Sequence, residues 1–137
     1  MKPKVVIPTR MAEEVFKTLN DIAEVHFGPF STWEKLLDEV KEAVALIVAL
    51  EHVDEDLLRH ASKLKVVARF GVGYDNVDVK ACTKRGIYVT YTPGVLSNAV
   101  AELTLGLMLC LARMLIHADR YVRTDWAKPA GFPLPLG

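Results

Sequence analysis

The chain has 137 residues, about half of them apolar, with 17 acidic side chains balancing 17 basic ones. That length and apolar content suggest one domain with a real core, and the neutral balance with no basic stripe argues against nucleic acid as a partner. The N-terminal MKPKVVIPTR breaks at Pro8, too early for a signal peptide, and the apolar run Leu103 to Ala112 is too short for a membrane span, so a cytoplasmic setting is expected.

Short apolar runs alternate with amphipathic segments along the first two thirds of the chain. KVVIP (4–8) reads as a strand, and Met11 to Leu19 carries apolar residues at helical spacing. AEVHF (23–27) is a second strand, ended by Gly28-Pro29, and Ser31 or Thr32 caps a helix through about Val40. ALIVAL (45–50) is a buried strand, and Asp54 caps a short helix from 55 to about 61. KVVARF (65–70) is a fourth strand. Asp78 caps the helix VKACTKR, Gly86 suits its left-handed exit, and IYVTY (87–91) is the fifth strand. Cys82 and Cys110 fall within helical patterns without metal-like spacing and read as reduced, buried thiols.

Fully apolar strands separated by helices imply an α/β fold with a parallel sheet covered on both faces. Right-handed crossovers make it doubly wound, and a flavodoxin-like strand order 2-1-3-4-5 is expected for the five strands. The pattern then changes. Ser97 caps one long helix that runs to about Asp125, apolar around most of its circumference. Such a helix needs burial on more than one side, by another domain or another subunit. The tail KPAGFPLPLG (128–137) is dense in Pro and Gly and reads as a linker.

In an open parallel sheet, ligands bind beyond the carboxyl ends of the strands. Four loops lie there: Pro8-Thr9-Arg10, Leu50-Glu51-His52, Phe70 to Asn76 and Thr92 to Leu96. Gly71-Val72-Gly73 supplies the first two glycines of G-x-G-x-x-G, but the third place holds Asn76, so a dinucleotide fingerprint is rejected. Two readings of this loop stay open. It is an anion nest whose backbone N–H groups converge on a small carboxylate with Arg69 nearby, or it is a tight turn in which the glycines serve geometry alone. In the second case Arg69 forms an ion pair with Asp75 or Asp78. A phosphorelay receiver lacks its acidic pair, aspartate and lysine here, and a flavin phosphate loop lacks its Gly, Ser and Thr run. The four histidines form no catalytic constellation; His52, beside Glu51, is the best placed of them. No metal-ligand spacing is present.

The run VVARFGVGYDNVDVKACTKRGIYVTYTPGVLSNAVAELTLGLMLCLAR (66–113), with the later RYVRTDW (120–126), resembles the D-2-hydroxyacid dehydrogenase family. Within that family it is most similar to archaeal glyoxylate (hydroxypyruvate) reductases. The resemblance implies hydride transfer from NAD(P)H to the carbonyl of a small 2-keto acid, giving a D-2-hydroxy acid. It implies a substrate domain over residues 1–96 and an interdomain helix over 97–126 that lines a homodimer interface. A linker over 127–137 would lead to a Rossmann domain outside these residues. Val72 and Gly73 would offer N–H groups to the substrate carboxylate, Val72 and Val100 would lie near the nicotinamide, and Leu50 would lie at the substrate pocket. The family's catalytic Arg, Glu and His belong to the nucleotide domain, so no catalytic residue, no metal and no tightly held cofactor are expected in this chain, which alone would be inactive. The alternative is a stand-alone module that binds a small carboxylate or dimerises without catalysis. Two departures matter: Tyr91 stands where the family often has Asn, and Leu50-Glu51 stands where a phosphate-binding relative would place basic residues. A carboxylate there would repel a phosphate, which favours unphosphorylated acids.

Overall fold

The computed structural model describes residues 2–124 and 126. The chain divides into two compact units, residues 1–93 and 94–137, and each is treated by itself.

The first unit alternates strand and helix: β1 (Lys4–Ile7), α1 (Glu13–Asn20), β2 (Glu24–Phe27), α2 (Trp33–Val40), β3 (Ala45–Val48), α3 (Glu55–His60), β4 (Val66–Arg69), α4 (Val79–Lys84) and β5 (Tyr88–Thr90). The strands form one parallel sheet in the order β2-β1-β3-β4-β5, as the alternation predicts. Side chains alternate across a strand, so β1 feeds both faces. Val5 and Ile7 pack with Ala23 and the α1 residues Phe16 and Leu19. Val6 points the other way, into a larger cluster with Leu46, Val48, Val67, Leu36, Leu57 and Cys82. Helices therefore cover both faces of the sheet.

The helix starts follow their capping residues. Thr32 Oγ1 accepts from Lys35 N at 3.3 Å, Asp54 Oδ1 from Leu57 N at 3.0 Å, and Asp78 Oδ1 from Ala81 N at 2.9 Å. Each bond satisfies a donor that has no partner inside its helix. Gly86 follows α4 with φ of 68°, the left-handed exit that the sequence predicts.

Two expectations need correction. ALIVAL was expected as strand to residue 50, but β3 stops at Val48. The N–H groups of Ala49 and Leu50 leave the ladder and donate to the Glu51 carboxylate at 2.9 and 3.2 Å. In the second unit the expected single helix is two: α5 (Ser97–Ala112) and α6 (Leu115–Thr124), bent by 58°. Met114 takes φ of 49°, a left-handed conformation that stops propagation. Arg113 N donates to Leu109 O and Met114 N to Leu111 O, which closes α5. Ser97 is the first residue of α5 rather than its cap, and no side chain caps that end. None of the residues of α5 or α6 is buried. Leu103, Leu105, Leu107, Met108, Leu109 and Leu111 are each more than half exposed. Among the described residues no single helix is long and apolar enough to cross a membrane. The expected linker over 127–137 lies outside the described residues.

Candidate carboxylate-binding site

The register pairs Val48 with Arg69, so the loops after β3 and β4 leave the sheet side by side. Phe70 N donates to Val48 O at 2.8 Å and marks the last rung. Beyond it the two loops are held together by one side chain and a short backbone bridge. The Asn76 amide nitrogen donates to Glu51 O at 2.7 Å and reaches Ala49 O at 3.4 Å. A short bridge continues the contact: Val53 N donates to Asn76 O, and Asp78 N to Val53 O, both at 2.8 Å. Leu50 lies between the two carbonyls that Asn76 engages, and its side chain is 81% exposed. Glu51 does not face outward as an unpaired charge; one of its oxygens is turned back onto the backbone of its own loop.

The glycine loop follows. Gly71 adopts φ of 145°, which L side chains rarely reach. Its N–H donates to Arg69 O and its carbonyl accepts from Thr92 N, both at 3.0 Å. Of the three N–H groups from Gly71 to Gly73, the first is thus spent within the chain. Among the described residues nothing accepts from the N–H of Val72 or Gly73. Val72 is 45% exposed, and Gly73 is exposed. Tyr91, the departure from the family pattern, packs its ring edge-on against Tyr74 with centroids 5.4 Å apart. An aromatic pair therefore supports this corner of the loop.

Arg69 makes neither ion pair that was expected for it. Asp78 is used as the cap of α4, and no carboxylate meets Arg69 among the described residues. Its guanidinium Nη1 donates to Phe70 O, while Nε is buried without a partner among the described residues. The guanidinium lies where a Cβ on Gly71 would stand, 1.6 Å from Nη1. Among the described residues the loop therefore combines two exposed N–H groups without a protein acceptor and a guanidinium that no carboxylate pairs. That set can hold a small carboxylate, with the Asp75 carboxylate on the Gly73 side of the loop, where a Cβ on Gly73 would stand 3.3 Å from Oδ2.

The histidines lie elsewhere. His26 lies between Glu39 at 2.7 Å and Glu24 at 3.0 Å, and His60 Nδ1 meets Asp56 O at 2.9 Å. His52 is exposed and has no hydrogen-bond partner among the described residues. It borders a separate open cavity of about 400 Å³, lined also by Pro8, Phe30, Thr32, Trp33 and Glu51, none of them basic. His117 is exposed on α6. Cys82 is buried and Cys110 half-buried, both as free thiols. Burial, then the nearby Asp78, pushes the Cys82 thiol up. No three His, Cys, Asp or Glu side chains are grouped to hold a metal ion among the described residues. Val100 is on α5 in the second unit, 57% exposed. Asn76 is the residue that sequence reasoning missed. It registered there only as the wrong residue for a dinucleotide loop, and its partners lie 25 and 27 positions upstream.

Comparison with known proteins decides the family. Residues 5–130 match the catalytic domain of the D-isomer specific 2-hydroxyacid dehydrogenases. The chain belongs to that family. A glyoxylate reductase from Pyrococcus horikoshii is 44% identical over 138 residues, covering 93% of this chain and 40% of the relative. The crystal structure of an NADPH-dependent glyoxylate/hydroxypyruvate reductase from Sinorhizobium meliloti, in complex with NADP and malonate, is 30% identical with a TM-score of 0.78. It covers 100% of this chain and 43% of that one. A cofactor (NAD+)-bound 3-phosphoglycerate dehydrogenase from Entamoeba histolytica is 32% identical with a TM-score of 0.69, over 82% of this chain and 40% of that one. The chain spans about two fifths of the length of the relatives it matches.

Proposed function

We propose that this chain is the substrate-binding portion of an NAD(P)-dependent oxidoreductase that reduces a small 2-keto acid of the glyoxylate and hydroxypyruvate class to its D-2-hydroxy acid. The observation that carries the reading is the pair of unoccupied N–H donors at Val72 and Gly73, beside Arg69 and the exposed Leu50. Val72 and Gly73 hold the carboxylate, Arg69 adds positive charge, Gly71 gives the backbone its turn, and Leu50 forms an apolar wall. Val72 is apolar and accessible, which suits the edge of a nicotinamide ring. The nucleotide cofactor supplies the hydride when bound, and residues outside this chain hold its phosphates. The catalytic Arg, acid and His are also assigned outside these residues, so the 137-residue chain does not turn over by itself.

The exposed leucines of α5 favour a second copy of the chain as partner, with 97–126 as the shared interface. They also support a second reading: a module that binds a carboxylate or dimerises without catalysis.

Titration of the ¹⁵N-labelled chain with glyoxylate tests the site. Shifts confined to Gly71 to Gly73 and residues 49–51 are expected, and a flat response at millimolar ligand would remove the reading. NADH oxidation by the chain with glyoxylate would contradict the claim that it lacks turnover.

A further inference from the structure

We propose that Asn76 is a positioning residue that sets how large a 2-keto acid this site accepts, by fixing Leu50 relative to the glycine loop. The inference rests on the carboxylate-binding reading of that loop.

Leu50 has little else to hold it. Its side chain is 81% exposed, so packing does not fix its place. Its backbone has left the sheet, because β3 ends at Val48. The Glu51 carboxylate gathers the Ala49 and Leu50 N–H groups, but that ties the loop only to itself. The carbonyls on either side of Leu50, those of Ala49 and Glu51, both meet the Asn76 amide. Asparagine suits this place because one NH₂ group carries two hydrogens for two carbonyls. Its main-chain carbonyl takes the Val53 N–H, a bond any residue at 76 would keep, so what asparagine adds is the side-chain tie to the carbonyls on both sides of Leu50. Asn76 also lies three positions after Gly73, within the loop that carries the free donors. The separation between the apolar wall and the carboxylate donors is therefore held through Asn76, and that separation limits the substrate's side chain.

The test uses the full ¹⁵N-labelled chain as wild type, N76A and N76D. N76A removes the donors, and N76D keeps the shape but turns a donor into an acceptor facing two carbonyls. Amide resonances of residues 49–51 should move in both variants, while those of β1 and α1 stay in place. Dissociation constants are read for glyoxylate and for the bulkier 2-oxoisovalerate. The wild type should prefer glyoxylate, and N76A should reduce that preference by about fivefold, the worth of one ordinary hydrogen bond. A purely structural role would weaken both acids alike and leave the ratio unchanged, which would overturn the proposal. Unmoved resonances at 49–51 in N76A would also overturn it. A wild-type chain silent to both acids would remove the carboxylate reading itself and this role with it. If N76D does not fold, N76A alone decides the ratio.

Discussion

At Gly71 the backbone is held at φ of 145° with the Arg69 guanidinium packed against its α-carbon. G71A places a methyl group where Nη1 now lies. The arginine can swing away, but the φ cannot be relaxed cheaply, so a loss of about 1–3 kcal/mol is expected in urea unfolding. Other residues respond to pH. Lys4 and then His26 hold the Glu39 carboxyl below the ordinary glutamate value, against a raising effect of burial. A folded pKa that is depressed stabilises the native state above the unfolded value and loses that contribution as pH falls through the folded one. Acid unfolding of E39Q should therefore be flatter than wild type on the acid side of the ordinary glutamate value, and the two should run parallel near neutrality. Cys82 has the opposite sign. Its folded pKa is raised, so its contribution is full below the ordinary thiol value and fades as pH rises through and above it. A thiol reagent at pH 8 should modify Cys110 first and reach Cys82 only as the domain opens, which mass spectrometry of partly labelled chain can read.

Among the elements, three helices start on their own side chains. Replacing Thr32, Asp54 or Asp78 with Ala should each cost about 1 kcal/mol by thermal unfolding, since each leaves a first-turn donor without its acceptor. Two of those caps, Asp54 and Asp78, were legible in the sequence as single residues, and Thr32 as one of two. The break between α5 and α6 was not legible. The apolar periodicity continues through it, and neither Gly nor Pro marks it, because Met114 itself adopts the left-handed turn. M114G should keep the elbow and stabilise it by about 1 kcal/mol, seen as a later loss of helical circular dichroism on heating. The end of β3 was hidden for a similar reason. Ala49 and Leu50 have strand-like side chains, and what removes them from the ladder is the neighbouring carboxylate, a choice that hydrophobic spacing does not encode.

For the whole molecule, the sheet order followed from the sequence because the strands are short and mostly apolar, the polar β2 (EVHF) lying at the sheet edge, and every crossover is helical. The glycine loop was legible as a pattern. The tie between loops was not, since Asn76 meets residues more than twenty positions away that no local rule connects to it. Assembly is testable at this scale. Light scattering at high concentration should report a dimer for the wild type, and L107E with L111E should report a monomer if α5 is the shared surface. The capped helices have a last consequence. In a parallel sheet with helical crossovers, α2, α3 and α4 all begin at the edge where the strands end. First-turn donors there are claimed by Thr32, Asp54 and Asp78, and Glu34, Glu55 and Asp56 add negative charge at the same ends. Such helix starts are the usual landing places for a phosphate. At each of these three starts one donor is already taken, and the acidic first turns of α2 and α3 oppose a doubly charged phosphate ester. Weak phosphate binding at those three helix starts is then a by-product of how the helices begin.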